Sequence, residues 1–176
     1  MSDTRLFGPA LAGAVVVGAL IVQPASPGPS AAAKAPQAKG SHHVMLTADE
    51  LKWADGPPGL PTGTRFAVLE GDPSKPGPFT IRGELQPNTK ILPHTHPGIE
   101  HVTVLSGELY MGSGDKLDEE KAKKLGPGGF AVMPIQYVHY AFTKGPKTVI
   151  QLHGMGPWGI NYLNPADDPR RAEAKK

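Results

Sequence analysis

From Val44 onward the chain is built of short runs in which apolar and polar residues alternate, cut at close intervals by glycine and proline. Alternation turns successive side chains to opposite faces, so each run predicts a strand with one face inward. Strands are expected at residues 65–70, 79–85, 90–94, 101–105, 109–112, 129–133, 138–143 and 148–153. Turns such as Gly71-Asp72-Pro73, Gly112-Ser113-Gly114-Asp115 and Lys144-Gly145-Pro146 separate them. Many short strands at this spacing predict an all-β sandwich or barrel. Two stretches depart from the pattern. Thr47 with Glu50 three residues on is a capping-box signature, which predicts a short helical turn covering one end of the barrel. The charged segment 118–125 is compatible with a helix whose solvated face carries Lys121, Lys123 and Lys124.

The first residues have a different texture. Arg5 precedes an apolar run over residues 6–22, and Pro, Ala, Ser and Gly then dominate up to Gly40. This is the pattern of an export signal, with Ala31-Ala32-Ala33 as a small-residue cleavage site and a site near Ala25 as its competitor. The run falls short of the ~20 apolar residues of a membrane span and is interrupted by Gly8, Pro9, Gly13 and Gly18. No stable membrane insertion is expected once the signal is removed, whereas an uncleaved signal would be an anchor. The predicted division is a signal or anchor over 1–33, a flexible linker over 34–43, the β-domain over 44–165 and a charged tail over 166–176. Such a protein is exported, to the periplasm or the medium.

Composition then narrows the chemistry. A chain of 176 residues with 39% apolar content suits one modest domain. Eighteen Lys and Arg against sixteen Asp and Glu, mostly dispersed, give no nucleic-acid footprint. There is no cysteine, which excludes disulfides, thiolate metal sites and a cysteine nucleophile. Any metal must sit on nitrogen and oxygen donors.

Such donors occur together. His94 and His96 flank Thr95 on one predicted strand and share a face, Pro97-Gly98 breaks the strand directly afterwards, and Glu100 starts the next one. Parity along that second strand groups Glu100 with Val102 and Val104 and turns His101 away. His139 comes from a distant Gly- and Pro-rich stretch. Three neutral imidazoles and a carboxylate suit one divalent transition ion, whether Fe, Mn, Cu, Ni, Co or Zn. On a six-coordinate ion they leave two adjacent positions for water, dioxygen or a bidentate diol, hydroxy acid or enediol.

These residues resemble the motifs of the cupin superfamily. His94, His96, Glu100 and Gly107 match its first motif, with Gly83 further upstream than usual; Gly128, Pro134 and His139 match its second. Gln136 stands where a glycine is expected and Thr143 where an asparagine is often found. Over about residues 65–153 the resemblance implies a cupin-type antiparallel jelly-roll β-barrel with one or two short helices, a metal inside the barrel, and a homodimer.

Other residues are candidates by position alone. Tyr137 shares parity with His139, and His153 alternates with Leu152, so each is a candidate proton carrier if it faces the cavity. Tyr140 and Phe142 fall on the opposite face and are expected to pack. Trp158 and Tyr162 lie in a loop able to cap the barrel mouth or to anchor a C-terminal arm. The expected function is that of a metal-dependent exported enzyme acting on a small oxygenated organic molecule, with dioxygenase-like oxidation ahead of isomerase or lyase chemistry. A non-catalytic module that binds a small ligand through the ion is the reading from a different class.

Overall fold

The alternating runs pair into two antiparallel sheets in the computed structural model, which describes residues 43–173. The strands are β1 (Ala54–Asp55), β2 (Arg65–Glu70), β3 (Gly77–Leu85), β4 (Lys90–Thr95), β5 (Glu100–Ser106) and β6 (Leu109–Ser113). They continue with β7 (Lys123–Leu125), β8 (Phe130–Met133), β9 (His139–Phe142), β10 (Thr148–Gly156) and β11 (Asn161–Tyr162). One sheet has the order β1-β2-β3-β10-β5-β8 and the other β11-β4-β9-β6-β7. This is a jelly-roll sandwich, as the resemblance implies. The expected signal, and the linker apart from His43, lie outside the described residues.

Apolar inward positions fill the space between the sheets. Phe79 and Ile81 of β3, Val102 and Val104 of β5, and Ile150 and Leu152 of β10 meet Ile91 of β4, Leu109 of β6 and Ala141 of β9. Burying such a side chain stabilises the fold by roughly 1.5–3 kcal/mol, so this layer is the main source of stability. Tyr140 and Phe142 are buried on the far face of β9: the Tyr140 hydroxyl donates to the Asp118 carbonyl at 2.8 Å and Phe142 stacks on Tyr110.

The structure departs from the sequence expectation in short elements. Residues 118–125 are not a helix. The Asp118 carboxylate accepts from the N–H groups of Glu120 and Lys121, closing a turn, and Lys123–Leu125 then pairs with β6 as β7. A three-residue strand with one buried residue, Leu125, carries too little alternation to stand out from a charged helix face. Lys124 and Lys121 form ion pairs with Glu108 and Asp118. The capping-box pair is present, the Glu50 carboxylate accepting from Thr47 N–H at 2.7 Å, but it closes a single exposed 3-10 turn, Ala48–Glu50. The segment expected as a charged tail holds a 3-10 turn at Pro165–Asp167 and a short helix at Pro169–Glu173. Arg170 ties it to the domain through the Ile160 carbonyl, at 3.1 Å.

Among the turns with left-handed backbone, two bear directly on the motif residues. Gly107, between β5 and β6, has φ +75°, and a Cβ there would lie 2.7 Å from the Lys147 carbonyl oxygen. Gln136, in the place of the family's glycine, has φ +60° in a turn closed by Tyr137 N–H to Pro134 C=O. Its side chain offsets the backbone cost, since its amide oxygen accepts from the Thr95 hydroxyl at 3.2 Å. The departure from the motif therefore preserves the backbone geometry. Gly107→Ala combines φ strain with a backbone clash and is expected to cost about 2–4 kcal/mol, read as a fall in the thermal midpoint; an unchanged midpoint contradicts the turn as described.

Candidate metal centre

β4 brings the first two imidazoles inward by breaking its own register. Lys90 pairs with Phe142 and Ile91 with Ala141, but His94 pairs with His139, so one extra residue is inserted between Ile91 and His94. Pro93 lies in that bulge, where a missing N–H costs no ladder bond. The shift puts Ile91 and His94 on the same inner side despite their odd spacing, directly opposite His139. His96 follows just beyond β4 and is held by its carbonyl, which accepts from Gln136 N–H at 3.0 Å. Glu100 opens β5 facing inward, and all four side chains are buried.

Each imidazole is oriented by its Nδ1. His94 Nδ1 lies 2.7 Å from the Leu92 carbonyl, His96 Nδ1 2.7 Å from the Gly159 carbonyl, and His139 Nδ1 3.0 Å from the Tyr137 carbonyl. A carbonyl can only accept, so each Nδ1 carries the proton and each neutral ring turns an Nε2 lone pair away from its anchor. The three histidines offer ligand atoms that all lie within 4.8 Å of one another. His96 Nε2 is buried and has no hydrogen-bond partner. The Glu100 carboxylate lies 3.4 Å from His96 Nε2 and 3.9 Å from His139 Nε2, ion-pair distances without hydrogen-bond alignment. Among the described residues no lysine or arginine forms an ion pair with Glu100. Converging lone pairs beside a buried carboxylate are what a cation satisfies, and the set fits a divalent transition ion.

Burial governs the protonation of the cluster. It pushes His94 down to about 2, with the facing His139 and His96 rings adding to the effect, and it also lowers His139. Burial acts on His96 in the same sense, but the Glu100 carboxylate outweighs it and the net direction is upward.

The centre opens on a small cavity of about 40 Å³, room for roughly three waters at about 10–15 Å³ each. Beyond the four polar residues its walls are apolar, including Leu85, Val102, Leu109 and Trp158. Two candidates from the sequence are not there. Ile150 and Leu152 take the inner positions of β10, which leaves His153 exposed on the outer face, stacked on His101 with ring centroids 4.5 Å apart. Tyr137 precedes β9, so strand parity does not reach it; it is 45% exposed and lines a separate groove that shares only Met111 and His139 with the cavity. Placing either as a proton carrier in the cavity is corrected by core packing and by where β9 begins.

What the sequence left open is the part played by the C-terminal arm. Trp158 stacks on His96, with centroids 5.2 Å apart and 19° between planes, and the next residue supplies the carbonyl that orients that same ring. β11 pairs with β4 so that Tyr162 lies opposite His94. The Tyr162 hydroxyl donates to Gly59 O at 2.8 Å, and burial pushes the phenol up to about 12. A backbone carbonyl acting as an anchor leaves no mark in a sequence; the aromatic pair within a Gly- and Pro-rich stretch was the available signal.

Fold and site together define a jelly-roll β-protein with a three-histidine cluster. Residues 41–157 match the family described as the ChrR Cupin-like domain, and the chain belongs to that family. Among curated proteins none matches. Among solved structures it is similar to the polyketide cyclase RemF from Streptomyces resistomycificus, at 19% identity and TM-score 0.60 over 76% of this chain and 94% of that one. It is also similar to an RmlC-like cupin protein from Ralstonia eutropha, at 16% identity and TM-score 0.53 over 70% and 74% of the two chains. KdgF from Halomonas sp. matches at 19% identity and TM-score 0.50 over 64% and 94%. These likenesses concern the fold.

The histidines give the metal-free protein a pH-dependent stability. His94 stays neutral in the fold and His139 takes up a proton less readily than in the unfolded chain, where both titrate near pH ~6.5, so the unfolded state binds more protons there. Stability should fall as pH drops from 7 towards 5, by up to about 1.4 kcal/mol per pH unit from His94, with His139 acting in the same direction. His96, shifted upward, contributes stability that is complete below pH ~6.5 and lost as pH rises through its raised folded-state value, so below about pH 6.5 it leaves the trend unchanged. A thermal midpoint that rises on acidification of the chelator-treated protein would contradict this assignment.

Proposed function

We propose that this protein is a metal-dependent cupin enzyme in which His94, His96, His139 and Glu100 hold one divalent transition ion, and that it oxidises a small oxygenated organic molecule outside the cytoplasm, with dioxygen as the oxidant. The observation that carries the reading is the common orientation of the three imidazoles, each with Nδ1 on a backbone carbonyl and Nε2 left free. An ion bound there would polarise an oxygen donor and supply redox chemistry.

The chain's own contribution is to orient, to desolvate and to hold protons. Apolar walls around the cluster exclude bulk water and strengthen electrostatic interactions inside. Apart from the histidines, Glu100 is the one titratable group lining the cavity, so a proton released by a bound hydroxyl has Glu100 as its acceptor. This favours oxidation over isomerase or lyase chemistry, which moves protons between carbons and calls for a carrier separate from the ligands. A non-catalytic, ion-assisted binding module is the second reading, favoured by the small, apolar cavity; it predicts ligand binding without turnover. Export is supported by the apolar run and small-residue stretch in residues 1–33.

His96→Ala is expected to lower bound metal from one equivalent to near zero and oxygen uptake with phenolic or hydroxy-acid substrates by at least about 100-fold. His153→Ala should keep both. Retained turnover in His96→Ala, with metal lost, would overturn the metal-dependent reading.

A homodimer is supported by the outer face of the larger sheet. Leu105, Phe130, Val132 and Met155 lie exposed there around the stacked His101 and His153. Val132→Glu places a charge in this patch and should shift the sedimenting species from dimer to monomer without loss of metal; a dimer that survives it, or a monomeric native protein, removes this interface.

A further inference from the structure

The cavity beside the histidines is too small for a ring-sized organic molecule, yet a larger space adjoins it. An open groove of about 460 Å³ lies along the seam where β1 and β2 face the C-terminal arm. Cavity and groove share three side chains, Phe66, Trp158 and Ile160. Trp158 differs from the other two because its ring also stacks directly on His96.

The Trp158 ring is held in a particular way. Its backbone is pinned, N–H to the Pro73 carbonyl at 2.6 Å. The indole has no such anchor: Nε1 is buried with no hydrogen-bond partner, and the ring rests on His96, Phe66 and Phe79 through contact alone. A buried donor left unpaired is destabilising, so the ring position between cavity and groove carries a cost which an oxygen acceptor would remove. A ring fixed at its backbone but not at its tip can rotate about its own side-chain torsions.

The groove walls indicate what enters. Pro57, Pro58, Pro73, Val68 and Phe66 present flat apolar surface. The charged groups in the lining are Asp55 and Arg170, and Arg170 is already bidentate to Asp168 at 2.7 and 2.8 Å. Among the described residues lining the groove, no free cation is offered to a carboxylate or phosphate. The walls suit a planar, uncharged ring, and oxygen substituents at one edge suit both an unpaired indole N–H and the centre beyond it.

We propose that this groove binds planar aromatic diols and that the Trp158 ring is the partition they displace to reach the histidine cavity. The inference rests on the metal reading above and names the substrate class of the same site. Phe66 and Ile160 form the fixed frame, and Trp158 closes it.

The test uses the zinc-loaded full chain and 4-nitrocatechol, whose visible absorption changes on chelation, followed by stopped-flow mixing. In the native protein the observed association rate is expected to level off with nitrocatechol concentration, because opening of the ring limits entry. In Trp158→Ala it should rise linearly and be at least about tenfold faster at the highest concentration. Val68→Trp fills the groove at a residue that does not line the cavity; it should weaken nitrocatechol binding at least about tenfold with one zinc still bound. Zinc content and thermal midpoint are measured on every variant, and Trp158→Phe, which keeps a ring but lacks the N–H, should retain gated kinetics with weaker binding if Trp158→Ala fails to fold. Linear association in the native protein, indifference to Val68→Trp, or no binding to zinc-loaded protein would each overturn the gate and groove while leaving the metal centre standing. Failure of the native protein to hold zinc or any other divalent transition ion would overturn the metal reading first, and this inference with it.

Discussion

Three imidazole N–H groups, each spent on a backbone carbonyl, set the character of this protein's interior. Once the Leu92, Tyr137 and Gly159 carbonyls accept the Nδ1–H bonds, the rings have no donor left for one another or for Glu100; the three histidines face one another, with the buried Glu100 carboxylate beside Nε2 of His96 and of His139. An arrangement designed only for stability would fill this volume with apolar side chains, because a buried acceptor left unpaired, as His96 Nε2 is, costs free energy that a hydrophobic replacement would not. The neighbouring walls show that the fold can supply such residues, since Val102, Leu109, Ile150 and Leu152 line the same space. The polar cluster is therefore a departure from what the sandwich needs, and a cation removes its cost.

Two irregularities in the backbone serve that cluster. A regular β4 would place Ile91 and His94 on opposite faces; the bulge at Leu92-Pro93 lets both point inward, one to the core and one to His139. The turn at Gln136 adopts left-handed backbone without glycine and delivers its N–H to the His96 carbonyl. Both features sit where sequence rules for strands break down, and both act on the residues that carry the chemistry. Thr143, the other departure from the family pattern, takes a structural task of similar kind. Its hydroxyl accepts from Thr89 N–H at 3.0 Å and donates to the Gln86 carbonyl at 2.7 Å, fastening the end of β9 to the turn before β4.

What could be read from the sequence follows from how local each signal is. Long alternating runs gave β2, β3, β5 and β10 to within a few residues, because one buried face fixes parity over their length. Parity likewise paired His94 with His96, whereas the grouping of His139 with them came from the motif resemblance, because parity does not say which strands meet. Elements of two or three residues, β1, β7 and β11, are stabilised by the neighbour they pair with and leave no period of their own. His153 shows the limit of parity: alternation established that it and Leu152 face opposite ways, but which of the two faces the core was settled only by the packing of Leu152 between the sheets. Tyr137 shows another limit, since parity counted backwards from His139 runs off the end of the strand.

The C-terminal arm joins these threads. Within five residues it supplies the ring stacked on His96, the carbonyl that sets the same imidazole's tautomer, and the first residue of the strand that pairs with β4 beside His94. None of these contacts could form in a chain that ended with β10, so the orientation of a candidate ligand near the middle of the sequence depends on residues that fold against it from the end. Ordering of the arm and seating of His96 are one event: whatever loosens Trp158 and Gly159 frees the imidazole to rotate, and whatever holds His96 Nε2 in place favours the docked arm. Coupling of this kind makes access to the cavity and the quality of its donor set two readings of a single loop position, which is why the partition between groove and cavity falls at Trp158, the one shared side chain stacked on a histidine.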